Sequence, residues 1–300
     1  MTKRFIYIIA AFLMLVSCST TNKYTALQNE LTDFVKDKDA RIGMAVIIDG
    51  KDTVAVNGKE DFPMLSVYKL PIALALADNY RVKGLDFSEP IAIAKEDLHL
   101  DTYSPMTGRL LASSVVSIDS LSMPTREILN YMLQQSDNNA SYLAVKKLGG
   151  TENVMKWLSK SGLSGVKVVS TENEMHINPE LSYKNSSTPI AMARLLDKLD
   201  TEWNDSLSKE IKQMMETCKT GENRLAKPLL PTNAVTGHKT GTGFPLPDGG
   251  IMAVNDVGYV HLSNGHRYSI AVFIADAHYD MAESENIIAQ ISEMVWRNIK

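Results

Sequence analysis

Apolar residues fall along this chain in three different patterns. The first is an unbroken run, Phe5–Val16, that follows Lys3 and Arg4. It is shorter than the roughly 20 residues a membrane-crossing helix needs and has the shape of a secretory signal, so it is set apart from the folded part. The second pattern is dense in β-branched and apolar residues. Arg41–Ile48 and Thr53–Val56, joined through Asp49-Gly50, read as a hairpin. Ala234–Thr240, Val257–Leu262 and Tyr268–Ala275 read as further strands, the last two bridged by Ser263-Asn264-Gly265.

The third pattern has helical spacing. A helix beginning near Ser66 carries Leu70, Ile72, Ala73, Leu74 and Ala75 inward and stops at Lys83-Gly84, with Pro71 in its first turns, where a missing N–H costs least. From about Met123 to Thr220 the pattern is mostly helical, and a last helix covers about Met281–Ile299. Strands at both ends with helices between them predict an α+β fold. The two termini build one sheet, from residues 27–65 and 221–300, and residues 66–220 form a helical lobe. A functional cleft is expected between the lobes.

Composition narrows the function classes. The chain is 44% hydrophobic and 22% charged, which argues against disorder, and its net charge of −4 gives no basic footprint for nucleic acid. There is no CxxC pair, no HExxH and no glycine-rich phosphate loop, and the six histidines are scattered. Neither a metal nor a cofactor is expected. The only cysteines are Cys18 and Cys218. Leu15-Val16-Ser17-Cys18 resembles the lipobox of bacterial lipoproteins, which implies removal of residues 1–17 and a lipid on Cys18. Residues 18–26 would then be a polar tether, and residues 27–300 the folded domain. With Cys18 lipidated no intramolecular disulfide is possible, so burial alone must hold the domain together. Cys218 reads as a small semi-buried residue.

Three short strings carry the chemistry: Ser66-Val67-Tyr68-Lys69, Ser136-Asp137-Asn138 and Lys239-Thr240-Gly241. A serine hydroxyl is a weak nucleophile at neutral pH and needs a base in reach. Lys69, one helical turn on, can supply it. A helix N-terminus at Ser66 would aim unpaired N–H groups at a developing oxyanion. A second hydroxyl, an amide and a cationic strand complete what acyl transfer on a carboxylate-bearing amide requires.

In this order the strings resemble those of the class A serine β-lactamases, and the resemblance runs from about Leu27 to the C-terminus. It implies a five-stranded antiparallel sheet flanked by helices, a helical lobe, and hydrolysis of the β-lactam ring through a serine acyl-enzyme. It further implies that Ser136 relays a proton to the leaving nitrogen and that Asn138 binds the acyl amide. Lys239 and Thr240 would hold the substrate carboxylate, Gly241 would permit close approach, and the N–H groups of Ser66 and Thr242 would form the oxyanion hole. Asp137 is expected to fix its turn through backbone hydrogen bonds. Tyr103, in Tyr103-Ser-Pro, resembles the aromatic residue at the site entrance. The resemblance also implies a monomer, held in the envelope of a Gram-negative bacterium, on the periplasmic side, by the lipid on Cys18.

A hydrolase must also deacylate, which takes a carboxylate that activates water. Glu172 and Glu174 compete for this in Ser170-Thr-Glu-Asn-Glu-Met-His176. The stretch is similar to the loop of an extended-spectrum, cephalosporin-favouring subgroup, which implies Glu172 as the base and His176 as a neighbour of the water. Without such a base the same strings describe a DD-peptidase or a penicillin-sensing lipoprotein. Ser170 stands where the family's loop-anchoring arginine is usual, and the stretch between Tyr103 and Ser136 is longer than in common members. Either Lys69 or Glu172 can be the acylation base. The secondary arginine that often assists the lysine has no assignable position.

Overall fold

The computed structural model describes residues 23–113 and 121–299. The signal segment, Cys18, most of the tether and part of the stretch between Tyr103 and Ser136 lie outside the described residues. The chain enters through α1 (Thr25–Lys36), β1 (Arg41–Ile48), β2 (Asp52–Val56) and β3 (Phe62–Pro63), then a 3₁₀ turn at Leu65–Tyr68 that runs straight into α2 (Lys69–Lys83). Next come β4 (Pro90–Ile93), α3 (Pro105–Ala112), β5 (Leu121–Pro124), α4 (Thr125–Gln134), α5 (Asn138–Leu148), α6 (Thr151–Lys160) and α7 (Glu172–Ile177). β6 (Ser186–Ser187), α8 (Pro189–Thr201) and α9 (Ser206–Glu216) lead to β7 (Val235–Thr242), β8 (Ile251–His261), β9 (Arg267–Ala277) and α10 (Met281–Ile299).

Five strands form one antiparallel sheet, as the resemblance implies, and their order is β2-β1-β9-β8-β7. Alternate residues serve its two faces. Met44, Val46, Ile270, Val272 and Ile274 meet Leu27 and Leu31 of α1 and Ile287, Ile291 and Val295 of α10. Ala45, Ala271, Phe273 and Tyr259 face the core shared with α2 and the other helices. Both faces are buried, which is why these strands read as nearly continuous apolar runs and not as alternating ones. At the first hairpin Asp49 and Gly50 both adopt left-handed backbone (φ 51° and 68°), the geometry an Asp-Gly turn supplies. Gly84 ends α2 in the same way, with φ 67°.

Three features differ from expectation. β8 begins at Ile251, not Val257, because Asn255 and Asp256 interrupt the apolar pattern although both are fully buried and hydrogen-bonded. α8 falls within the span assigned to the helical lobe yet packs on β1 and β9, since Met192, Leu195 and Leu196 cover the inner face of the sheet. A helix, α1, already begins at Thr25, and the side chain of Tyr24 before it is buried.

Candidate active site

Ser66 sits in the 3₁₀ turn at the head of α2, held from two sides by the sheet. Asn255 of β8 donates its Nδ2 to Pro63 O (2.8 Å) and Met64 O (3.1 Å). Gly241 of β7 packs so closely that an added Cβ would lie 2.4 Å from Met64 O and 3.3 Å from Ser66 N. Only glycine permits that approach. The clamp holds Leu65 at φ 46°, an uncommon conformation for a leucine and of the kind that clusters at reactive centres.

Lys69 is fully buried beneath Ser66. Its Nζ lies 3.0 Å from Ser66 Oγ, 2.7 Å from Ser136 O and 2.6 Å from Asn138 Oδ1. Burial lowers its pKa, opposed by the charges of Glu172 and Asp137. Lys69 Nζ donates to all three oxygens, so the amine is in direct contact with the nucleophile's hydroxyl.

Ser136 also has left-handed backbone, φ 60°, which turns its carbonyl to Lys69 while its Oγ accepts from Lys239 Nζ at 3.0 Å. Asp137 is the fully buried N-cap of α5, accepting from Ala140 N (2.9 Å), Met106 N (2.7 Å) and Ser104 Oγ. Its structural part in the turn is therefore the one expected. Asn138 reaches Thr102 Oγ1 with its Nδ2 (2.7 Å) and Lys69 with its Oδ1.

The two competing glutamates are separated by local structure. Thr171 is the N-cap of α7, and Glu174 completes a capping box, accepting Thr171 N at 2.7 Å and Thr171 Oγ1 at 2.9 Å on the exposed side. Glu172 instead turns inward. Its Oε2 accepts from Tyr68 Oη at 2.8 Å and lies 4.0 Å from Lys69 Nζ. The loop is anchored without an arginine. Buried Asn185 accepts from Val169 N (2.8 Å) and Ser170 N (2.9 Å) and donates to Ser170 O (2.8 Å). His176, with Nε2 3.2 Å from Asp101 Oδ2, lines a small pocket together with Asp101, Glu172, Thr102 and Asn138.

An open cleft of about 300 Å³ lies in front of Ser66, lined by Ser136, Asn138, Glu172, Thr240, Thr242 and Arg224 among others. Tyr103 stands at its mouth, 60% exposed. Behind the cleft lining, next to Thr240, Lys239 is fully buried, and burial together with the neighbouring charge of Lys69 lowers its pKa to about 7. Thr240 Oγ1 is 2.6 Å from Thr220 Oγ1. Along the edge strand β7, Gly243 N bonds Ala253 O, so alternation turns the N–H of Thr242 to the free side, toward Ser66.

Arg224 is a cation at the cleft that sequence reasoning did not single out. Nearly buried, it spans Gly241 O (3.1 Å), Asn255 O (2.9 Å), Thr242 Oγ1 (2.8 Å) and Glu285 Oε1 (3.0 Å). It lines the same cleft as Lys239's strand. Tyr68, Ser141 and Asn185 were also missed. The only signal was a tyrosine inside the first string, since nothing in the sequence marks the other two as neighbours of the loop.

The arrangement brings together a serine with a desolvated amine, a second hydroxyl tied to a lysine, an unpaired edge-strand N–H and an inward carboxylate. This set can form and then hydrolyse an ester. A model of the β-lactamase enzyme family matches residues 26–299. The chain is 34% identical over 294 residues to β-lactamase VEB-1 of Pseudomonas aeruginosa, covering 95% of each chain. Among solved structures, the TLA-3 extended-spectrum β-lactamase superposes with a TM-score of 0.85 at 32% identity, over 92% of this chain and 99% of that one. A class A β-lactamase from Bacteroides cellulosilyticus gives a TM-score of 0.85 at 29% identity, over 93% and 98%.

Proposed function

The chain belongs to the β-lactamase enzyme family, as a class A serine hydrolase of β-lactam antibiotics that confers resistance to them, and we propose that cephalosporins are its favoured substrates. The observation that carries the hydrolytic reading is Glu172, a carboxylate 4.0 Å from the lysine of the nucleophile. A DD-peptidase or a sensor that holds its acyl group has no need of it.

In the proposed mechanism the substrate carboxylate docks on Lys239, Thr240 and Arg224, and the acyl amide on Asn138. Lys69 takes the Ser66 proton, a role supported by its 3.0 Å contact and its lowered pKa. The oxyanion rests on the N–H groups of Ser66 and Thr242, where loss of one donor typically costs about 3–4 kcal/mol. Ser136, in contact with Lys239 and 2.7 Å by its carbonyl from Lys69, passes the proton to the lactam nitrogen. Glu172 then activates the water that cleaves the ester.

Support for cephalosporins comes from the loop. Ser170 leaves out the usual arginine, Asn185 takes over the anchoring, and His176 pairs with Asp101. These features suit a site open to bulky side chains, and the solved relative TLA-3 is an extended-spectrum enzyme. Steady-state kinetics on one penicillin and several cephalosporins, with and without clavulanate, test the preference. It is refuted by a penicillin kcat/KM above that of every cephalosporin. Sustained nitrocefin turnover that survives Glu172→Gln at the parent rate would refute the assignment of the base.

We further propose that Cys18 is lipidated and tethers the enzyme to the cell envelope, supported by Leu15-Val-Ser-Cys18 and the apolar run before it. Cys18→Ser is expected to abolish labelling by radioactive palmitate and to move the protein out of the membrane fraction. Unchanged labelling would exclude this site.

A further inference from the structure

The first string carries a residue that its own chemistry does not use. Tyr68, fully buried, follows Ser66 by two positions, and its hydroxyl lies 2.8 Å from Glu172 Oε2 and 2.8 Å from Ser141 Oγ. A phenol has one proton. Glu172 as a carboxylate can only accept, so Tyr68 donates to it and Ser141, also fully buried, donates to Tyr68. The order of donation is fixed, running from Ser141 through Tyr68 to Glu172.

We propose that Tyr68 and Ser141 are positioning residues for deacylation, a buried donor relay that aims the Glu172 carboxylate at the hydrolytic water. The proposal rests on the reading of Glu172 as the base. Two consecutive residues of the nucleophile turn grip one oxygen of the carboxylate, Tyr68 at 2.8 Å and Lys69 at 4.0 Å, both on Oε2. Among the described residues no hydrogen bond engages Oε1, which leaves that oxygen to take a proton from water. Burial and the adjacent Glu172 charge also raise the Tyr68 pKa well above that of a free phenol, so the donor persists across the working pH range. Because Tyr68 and Ser66 share one turn, the relay couples the base's position to the nucleophile's. A loop glutamate in α7, held at its N-cap by Thr171 and more than 100 positions from Ser66 in sequence, otherwise has few constraints on its aim.

The test uses Tyr68→Phe, which removes one oxygen and keeps the ring in the core, and Ser141→Ala, with nitrocefin as substrate and the full domain as enzyme. Loss of a hydrogen bond to a charged group predicts a deacylation rate lower by about 10-fold or more in Tyr68→Phe and by several-fold in Ser141→Ala. Acylation is expected to be unchanged. The signature is a burst of one equivalent, acyl-enzyme seen by intact-protein mass, and kcat and KM that fall together while kcat/KM stays put. A purely structural role would lower burst amplitude and kcat/KM instead, and that result overturns the proposal. If Glu172→Gln traps acyl-enzyme while both relay variants deacylate like the parent, the relay fails and the base stands. If Glu172→Gln turns over normally, the base fails and the relay with it. Should Tyr68→Phe not fold, Ser141→Ala alone decides, because it deletes only a small buried hydroxyl.

Discussion

The Nζ of Lys239 lies 3.0 Å from the hydroxyl of Ser136, across 103 residues of sequence, and its side chain is fully buried. One buried cation thus touches the residue expected to move a proton and lies on the strand whose Thr240 lines the cleft expected to receive the substrate carboxylate.

That burial makes substrate capture pH-dependent. Desolvation and the Lys69 charge lower the Lys239 pKa to about 7 in the free enzyme, so above that pH the strand loses its charge. A bound carboxylate restores the charged form. kcat/KM for a carboxylate-bearing β-lactam should therefore decline on the alkaline side from about pH 7, while kcat, which reports the bound complex, holds to higher pH. Lys239→Arg, always protonated, should push the alkaline limb of kcat/KM upward. Superimposable kcat/KM profiles for parent and variant between pH 6 and 9 would contradict this.

Glu174 and Glu172 should part company under mutation. Glu174 closes the capping box of α7 and faces solvent. Glu174→Ala should therefore cost about 1 kcal/mol, a drop in Tm of about 2 °C, with kcat kept. Thermal melts beside nitrocefin kinetics separate the cases. A loss of turnover without a change in Tm would reverse the assignment.

The reach of sequence reading into this molecule follows from locality. Asp49-Gly50, Gly84 and the spacing in Met281–Ile299 each dictate a local geometry, and the hairpin, the end of α2 and α10 follow from them. The three strings are legible because each packs its chemistry into three or four consecutive residues. Arg224 was not, since its function depends on a loop bringing a guanidinium to Gly241 O and Thr242 Oγ1, and a lone arginine in Glu-Asn-Arg has no pattern. Asn255 and Asp256 hid half of β8 because a buried polar pair looks like a loop until its partners, Pro63, His238 and Leu225, are seen. Asn185 likewise does by hydrogen bonds what a salt bridge does where the loop carries the usual arginine.

Gly241 should be among the least replaceable residues. Its missing Cβ would stand 2.4 Å from a backbone oxygen of the turn that carries Ser66, so Gly241→Ala must push β7 away and displace the N–H of Thr242. Losing one oxyanion donor costs about 100-fold or more in kcat. Gly265→Ala, at a turn with open space around it but φ 88°, is the control, costing stability and not turnover. Equal kcat losses in the two variants would refute the role of close approach.

Cys218 links thiol chemistry to the same wall. Burial alone would raise its pKa, but the hydrogen bond and charge of His238 outweigh that and bring it down to about 7. His238 is held as a cation, its pKa raised to about 10, by buried Asp256 at 3.0 Å despite its own desolvation. The thiol sits 3.3 Å from Thr220 Oγ1, which sits 2.6 Å from Thr240 Oγ1 in the cleft. Iodoacetamide should therefore modify Cys218 at a rate that rises through about pH 7, where a free thiol would respond only near 8.5. The added group should displace Thr220 and raise KM more than it lowers kcat. Cys218→Ser should be immune, and His238→Asn should slow the modification at pH 7 by returning the thiol toward its ordinary range. Alkylation that goes to completion with KM unchanged would sever the thiol from the substrate wall.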